Sequence, residues 1–203
     1  MGVCFIVGAG DFCEKSLDVK KGDIVIAADG GYKYLEAIGI KPDIYMGDFD
    51  SAPKPETDTD IEVFKCEKDD TDTILAVKHA LLLGFKDFKI FGGCGGREDH
   101  TFANIQTLSY IVSNGGKAQL FGKNEVYTVI DSFISFEKEM TGKISVFSLS
   151  DISEGVSIKG LKYGLENAEL TNRFPLGVSN EFCGKPSEIT VKSGLLLIIY
   201  GRN

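Results

Sequence analysis

The stretch Tyr45-Met46-Gly47-Asp48-Phe49-Asp50-Ser51 sets two carboxylates two residues apart, between a glycine and a serine. Just before it, Ile44 belongs to a short apolar run after Pro42. If Ile44–Met46 is a strand, the carboxylates lie in the loop at its carboxyl end, where open α/β sheets bind ligands. Extended backbone would point Asp48 and Asp50 to opposite sides, and a turn would let both face one cation. Crowded anionic groups cost energy unless a cation or solvent relieves them. The plainer alternative is a polar turn, since Asp, Ser and Gly are ordinary turn formers.

Outward from this stretch, strands and helices alternate. Val3–Val7 is an apolar run ending in Gly8-Ala9-Gly10, a weak echo of a dinucleotide fingerprint that lacks its third glycine. Asp23–Ala28 is a second run, closed by Asp29-Gly30-Gly31, and a helix fits Tyr32–Ile38 before Gly39 and Pro42. Beyond the acidic stretch, 52–60 reads as a surface loop and Ile61–Phe64 as a short strand. Lys68-Asp69-Asp70-Thr71-Asp72 then opens a helix with Ile74, Val77 and Leu81 on one face and Leu75 and Leu82 beside them. Its acidic first turn suits the positive end of the helix dipole. Phe88–Phe91 is a strand, Gly92–His100 a glycine-rich loop, and Thr101–Ser113 a helix with Phe102, Ile105, Leu108 and Val112 on its inner side. Ala118–Phe121 is a further strand. This alternation predicts a three-layer α/β/α fold around a mostly parallel sheet.

Near Lys123-Asn124 the pattern changes. Short β-branched runs follow one another from Val126 to Tyr200 without a convincing helix between them, the pattern of a small antiparallel sandwich or barrel. The expected division is therefore residues 1–125, α/β, and residues 126–203, β.

The bulk numbers bound the function. The chain has 203 residues, 43% of them hydrophobic, and a net charge of -8. Such a charge argues against a nucleic acid held through its phosphates, yet leaves room for a small anion in a local cationic pocket. Five scattered cysteines without a CxxC pair argue against a disulfide framework or zinc site and for a reducing cytoplasm. The apolar N-terminus has no basic region before it and reads as a strand, not a leader; no run is long enough to span a membrane.

Four polar clusters each follow a strand of the α/β half: Asp29–Gly31, Gly47–Ser51, Asp69–Asp72 and Gly92–His100. In a parallel sheet such loops converge on one rim. Their composition points to phosphoryl or pyrophosphoryl transfer. Asp48, Asp50 and Asp72 are hard oxygen ligands suited to Mg²⁺. The glycines at 92, 93, 95 and 96 let backbone N–H groups approach phosphates, Arg97 offers a planar donor fork, and the following helix aims its N-terminus at the same place. His100 could equally be a satisfied helix-start residue or a phosphate donor, and His79 and Cys94 read as structural.

The ordered set Asp29-Gly30-Gly31, Gly47-Asp48-Phe49-Asp50-Ser51, Lys68-Asp69-Asp70-Thr71-Asp72, Gly95-Gly96-Arg97-Glu98-Asp99-His100 and Gly177-Val178-Ser179-Asn180-Glu181-Phe182 resembles the thiamine pyrophosphokinase family. The resemblance covers nearly the whole chain, and Lys68 marks it as bacterial in type. It implies pyrophosphate transfer from ATP to the hydroxyl of thiamine, giving thiamine diphosphate and AMP. It further implies a nucleotide-binding α/β domain, a thiamine-binding C-terminal β-sandwich, and a cytoplasmic homodimer with thiamine near the subunit interface. By the same resemblance Asp48, Asp50 and Asp72 are the Mg²⁺ and catalytic carboxylates. Asp29, Gly30, Thr71, Arg97, Asp99 and His100 lie on the nucleotide side, and Ser179 and Asn180 on the thiamine side. The chain has no tryptophan to wall thiamine, which leaves Phe182 as the aromatic candidate. Two other classes stay open at this stage: a phosphatase with Asp48 as nucleophile, and a nucleotide or thiamine sensor without turnover.

Overall fold

The computed structural model describes residues 2–13, 17–47, 61, 62 and 70–202 of the chain. Asp48, Asp50, Ser51, Lys68 and Asp69 lie outside the described residues, as does the expected loop over 52–60. Two compact units divide between Lys123 and Asn124.

The first unit contains strands β1 (Val3–Val7), β2 (Ile24–Ala28), β3 (Ile44–Met46), β4 (Ile61–Glu62), β5 (Asp87–Phe91) and β6 (Lys117–Phe121). Its helices are α1 (Tyr32–Ala37), α2 (Asp72–Leu82) and α3 (Glu98–Ser113). All neighbouring strands run parallel, in the order β6-β5-β1-β2-β3-β4. The chain first walks from β1 to β4 and then jumps to β5 on the other side of β1. Because parallel crossovers are right-handed, that reversal puts α1 on one face and α2 and α3, which pack together, on the other. It also creates a topological switch point between β1 and β5, where the loops leaving adjacent strands part and open a crevice.

Both faces being covered, the strands are apolar almost throughout. Phe5, Ile6, Ile26, Phe88, Ile90 and Leu120 are fully buried, with Leu35, Leu108 and Ile111 of the helices packed onto the sheet. α2 starts where Thr71, in extended conformation, accepts the Ile74 N–H at 3.4 Å. Its buried stripe is Ala76, Val77 and Ala80. Small alanines let α2 lie close, and this corrects the expected stripe: Leu82 is 89% exposed. Phe102, expected inside, is 61% exposed. The inner face of α3 is Asn104, Thr107, Leu108, Ile111 and Val112, and at 100° per residue position 102 falls on the opposite side from 104.

The second unit is a pair of antiparallel sheets built from β7 (Glu125–Ile130), β8 (Phe133–Phe136), β9 (Lys143–Ser148), β10 (Ile152–Lys159), β11 (Leu165–Thr171), β12 (Gly177–Glu181), β13 (Ser187–Thr190) and β14 (Leu196–Gly201). One sheet runs β12-β9-β14-β7, the other β11-β10-β13-β8. Alternate residues of β9 and β14 (Ile144, Val146, Leu196, Ile198) and of β10 and β13 (Val156, Ile158, Ile189) are buried. Phe136 of β8 meets Tyr200 of β14 edge-on at 5.0 Å, so the sheets close face to face as a sandwich. β11 and β12 were not anticipated as strands. Both are edge strands carrying Glu and Asn, with a single buried residue each, Leu170 and Asn180, so no apolar alternation marks them.

No helix among the described residues is long and apolar enough to cross a membrane. Burial pushes the Cys4 thiol far above its usual range.

Phe91 ends β5 fully buried, with its ring stacked on Phe121 at 4.6 Å and 4°. Truncation to alanine removes a large buried ring beneath the switch point. Phe91→Ala is expected to cost about 3–5 kcal/mol in urea unfolding; a loss below about 1 kcal/mol would contradict this packing.

Candidate active site

Beyond the carboxyl ends of β1 and β5 the two chains keep hydrogen bonding. Gly8 N–H donates to Phe91 O at 2.8 Å, Gly10 N–H to Gly92 O at 2.7 Å, and Asp11 N–H to Cys94 O at 2.7 Å. This zip demands close backbone approach. Gly92 has φ +63°, and a Cβ there would fall 2.1 Å from Gly8 O, so position 92 admits only glycine.

The zipped loops floor a pocket of about 550 Å³, a size suited to a nucleotide-sized ligand. One wall is Gly8–Gly10, another the loop of Gly92, Gly93, Gly95 and Gly96 with Arg97, His100 and Asn104. The third is Asp29 together with Asp70, Thr71, Asp72 and Thr73 at the start of α2. The walls differ in character. The glycine and α3 side offers N–H groups, a guanidinium and an imidazole; the α2 side offers carboxylates. Such a pocket can hold phosphates against the donors and a hard cation against the carboxylates.

The acidic side is tightly built. Asp29 sits in the left-handed region at φ +50°, in a 3₁₀ turn over Asp29–Gly31 that leads into α1, a conformation that costs energy outside glycine and recurs at functional sites. Gly47, at the end of β3, lies against it: a Cβ on Gly47 would be 3.3 Å from Asp29 Cα and 3.9 Å from Asp72 Oδ2. The residue immediately before Asp48 is therefore flanked by two of the sequence-assigned acids. Asp72 is the first residue of α2, with its Oδ1 buried. Asp70 is held by Lys78 Nζ at 2.6 Å. Among the described residues no three His, Cys, Asp or Glu gather as a metal cluster; Asp48 and Asp50 are outside that set.

On the donor side, α3 begins three residues earlier than the periodicity placed it, so Asp99 and His100 occupy its first turn. Arg97 faces Asp99 bidentately: Nε donates to Oδ1 at 3.1 Å and Nη2 to Oδ2. Asp99 Oδ1 also accepts the His100 N–H at 3.0 Å. The hydrogen bonds from Arg97 hold the Asp99 carboxyl below the usual carboxylate range, and Asp99 raises the Arg97 guanidinium in turn. Both side chains are exposed, 70% and 64%.

Of the sequence-assigned residues, Asp29, Thr71, Asp72, Arg97 and His100 line this one pocket. Gly30 adjoins it through Ala9, to whose Cβ an added Cβ would come within 3.3 Å, and Asp99 reaches it through Arg97. Ser179 and Asn180 belong to the other unit. There β12 bulges between Gly177 and Asn180, and Ser179 takes φ +59°. Its side chain is exposed and its N–H donates to Ser145 Oγ at 3.1 Å. Asn180 is buried: its Oδ1 accepts from Tyr163 N–H at 3.0 Å and Glu181 N–H at 2.9 Å, while Nδ2 donates to Tyr163 O at 2.7 Å. Phe182 packs edge-on against Phe136 at 5.3 Å. Sequence reasoning missed Gly8–Gly10 and Asn104 as parts of the pocket. The glycines were visible, but their role depends on β1 being the neighbour of β5.

Comparison with known proteins bears on this arrangement. A family model described as thiamin pyrophosphokinase, catalytic domain, matches residues 17–120. A second, described as thiamin pyrophosphokinase, vitamin B1 binding domain, matches residues 132–196. The chain is 32% identical over 182 residues to a thiamine pyrophosphokinase of Bacillus subtilis, covering 86% of this chain and 85% of the relative. It is 31% identical over 168 residues to thiamin pyrophosphokinase 1 of Caenorhabditis elegans, covering 77% and 68%. A crystal structure of thiamine pyrophosphokinase from Bacillus subtilis superposes over 100% of both chains with a TM-score of 0.90 and 27% identity.

Because the folded Asp99 carboxyl is depressed, the Arg97 pair is present above the ordinary carboxylate range and is lost only as pH falls through the lowered value. Exposed pairs contribute little to stability. Asp99→Asn is therefore expected to leave the thermal midpoint close to wild type at neutral pH, with any remaining difference disappearing in acid. A large destabilisation at neutral pH would contradict the exposed geometry.

Proposed function

Since the chain belongs to the thiamin pyrophosphokinase family, we infer that it transfers a pyrophosphoryl group from ATP to the hydroxyl of thiamine, giving thiamine diphosphate and AMP. The observation that carries the reading is the two-sided pocket at the β1/β5 switch point, with donors on one wall and Asp29 and Asp72 on another. The reaction needs the thiamine hydroxyl oxygen to attack the β-phosphorus while the bond to the AMP oxygen breaks. What a protein contributes to such a step is mainly positioning and charge neutralisation.

In this reading the Gly92–Gly96 loop, Arg97 and His100 receive the ATP phosphates, and Asp29, Gly30, Thr71 and Asp99 complete the nucleotide side. Asp48, Asp50 and Asp72 would hold Mg²⁺, which when bound neutralises phosphate charge. The donor chemistry fits: hard carboxylate oxygens, one of them on a residue at a helix start beside the phosphate pocket. One of the three carboxylates accepts the proton of the thiamine hydroxyl. Residues 1–125 form the ATP-binding catalytic domain and residues 126–203 the thiamine-binding domain. There Ser179 offers its exposed hydroxyl to thiamine, and Asn180 acts by shaping the turn at Tyr163. Thiamine is a cation, which an acidic chain does not repel. We assign the working form as a cytoplasmic homodimer with thiamine near the subunit interface; the exposed Phe174, Leu176 and Val178 leading into β12 support an apolar subunit contact. An aspartyl phosphatase is not favoured, since its acidic loop belongs after the first strand and β1 here ends in Gly8-Ala9-Gly10.

The deciding assay is AMP release from ATP with and without thiamine and Mg²⁺. Release that depends on both is expected; ATP hydrolysis indifferent to thiamine would overturn the reading. In the same assay Asp50→Asn and Asp72→Asn should each lower turnover by about 10²–10⁴-fold with the fold intact, and wild-type rates in either would remove that residue from the chemistry. Ser179→Ala should raise the KM for thiamine more than the KM for ATP. The reverse pattern would take Ser179 out of the thiamine site.

A further inference from the structure

A loop that receives phosphates must keep its own carbonyl oxygens away from them, because each is the negative end of a peptide dipole. In the loop leaving β5, four consecutive carbonyls are hydrogen bonded. Phe91 O, Gly92 O and Cys94 O accept the N–H groups of Gly8, Gly10 and Asp11. The fourth, Gly93 O, accepts from a side chain: Asn104 Nδ2 donates to it at 2.8 Å. Asn104 stands two turns into α3, is only 5% exposed, and lines the pocket together with Gly93. A polar side chain this deeply placed on the inner face of a helix, among Leu108, Ile111 and Val112, costs stability unless it is hydrogen bonded, and Gly93 O is the partner that meets this need.

Resting on the reading of the pocket as the ATP site, we propose that Asn104 is a positioning residue for the nucleotide. Its amide holds the Gly93 carbonyl turned away from the phosphates and so keeps the loop's electrostatics favourable to a polyanion. The role acts through Gly93 and requires no contact between Asn104 and the ligand. Three main-chain donors of the β1 loop serve the neighbouring carbonyls, and Asn104 supplies the donor that the β1 loop does not.

The experiment uses the full chain and compares Asn104→Ala, Asn104→Leu and Asn104→Asp. Each is measured for Mg–ATP binding by calorimetry, for steady-state kinetics with ATP and thiamine varied in turn, and for thermal midpoint. Alanine and leucine are expected to weaken Mg–ATP binding and raise the KM for ATP by about 10–100-fold, the scale of a misplaced binding group, with the KM for thiamine within about twofold of wild type. Aspartate should be worse than alanine near pH 8 and recover toward wild type as the pH is lowered toward about 5, because burial at position 104 raises a carboxyl above its ordinary range and only the protonated form can donate to Gly93 O. A purely structural residue would move the midpoint without this split between substrates. The proposal is overturned if folded variants bind Mg–ATP as wild type does, if both KM values rise together, or if all three variants fail to fold. Wild-type chain that releases no AMP from ATP and thiamine would instead overturn the reading of the reaction itself.

Discussion

The hydrogen-bonded zip between the ends of β1 and β5 is the constraint on which the site depends. Strand pairing continues past the sheet proper, from Gly8 to Asp11 on one side and from Phe91 to Cys94 on the other. The chains can approach this closely because glycines stand at 8, 10 and 92. Below the zip, stacked Phe91 and Phe121 fill the sheet end; above it lies the pocket. The strand order that puts β5 beside β1 makes the loops diverge there, so the place of the site follows from topology.

Charge is then distributed by element. Helix α3 and the glycine loop present donors; α2, the turn after β2 and the end of β3 bring Asp72, Asp29 and Gly47 together. Neither wall is sufficient for phosphoryl chemistry alone. Donors without carboxylates would bind a phosphate and hold it; carboxylates without donors would repel it. The exposed Arg97–Asp99 pair keeps the guanidinium fork oriented at the pocket mouth at little energetic cost for release.

Much of this was legible from residue order. Alternating runs up to Phe121 announced a parallel sheet, and polar clusters after successive strands announced a common rim, because each strand of a parallel sheet must end on the same side. The change of pattern near Asn124 announced the β unit. What stayed hidden had physical causes. Strand order cannot be read from local pattern, so Gly8–Gly10 could not be recognised as a wall of the pocket. Phe102 looked like core because apolar spacing was read without knowing that Asn104 and Thr107 occupy the inner face of α3. β11 and β12 are edge strands whose polar residues satisfy pairing without an apolar stripe. Asn180 reads as a thiamine-side residue from its motif, and only the fold shows that its amide is also hydrogen bonded to the main chain of Tyr163 and Glu181.

The central claim is that ATP phosphates lie on the zipped loops at the β1/β5 crevice. Amide chemical-shift mapping during a Mg–ATP titration tests it most directly. The account predicts the largest changes at Gly8–Asp11 and Gly92–His100, with the start of α2 moving alongside. Saturable binding that leaves those amides unmoved and perturbs another surface would contradict it.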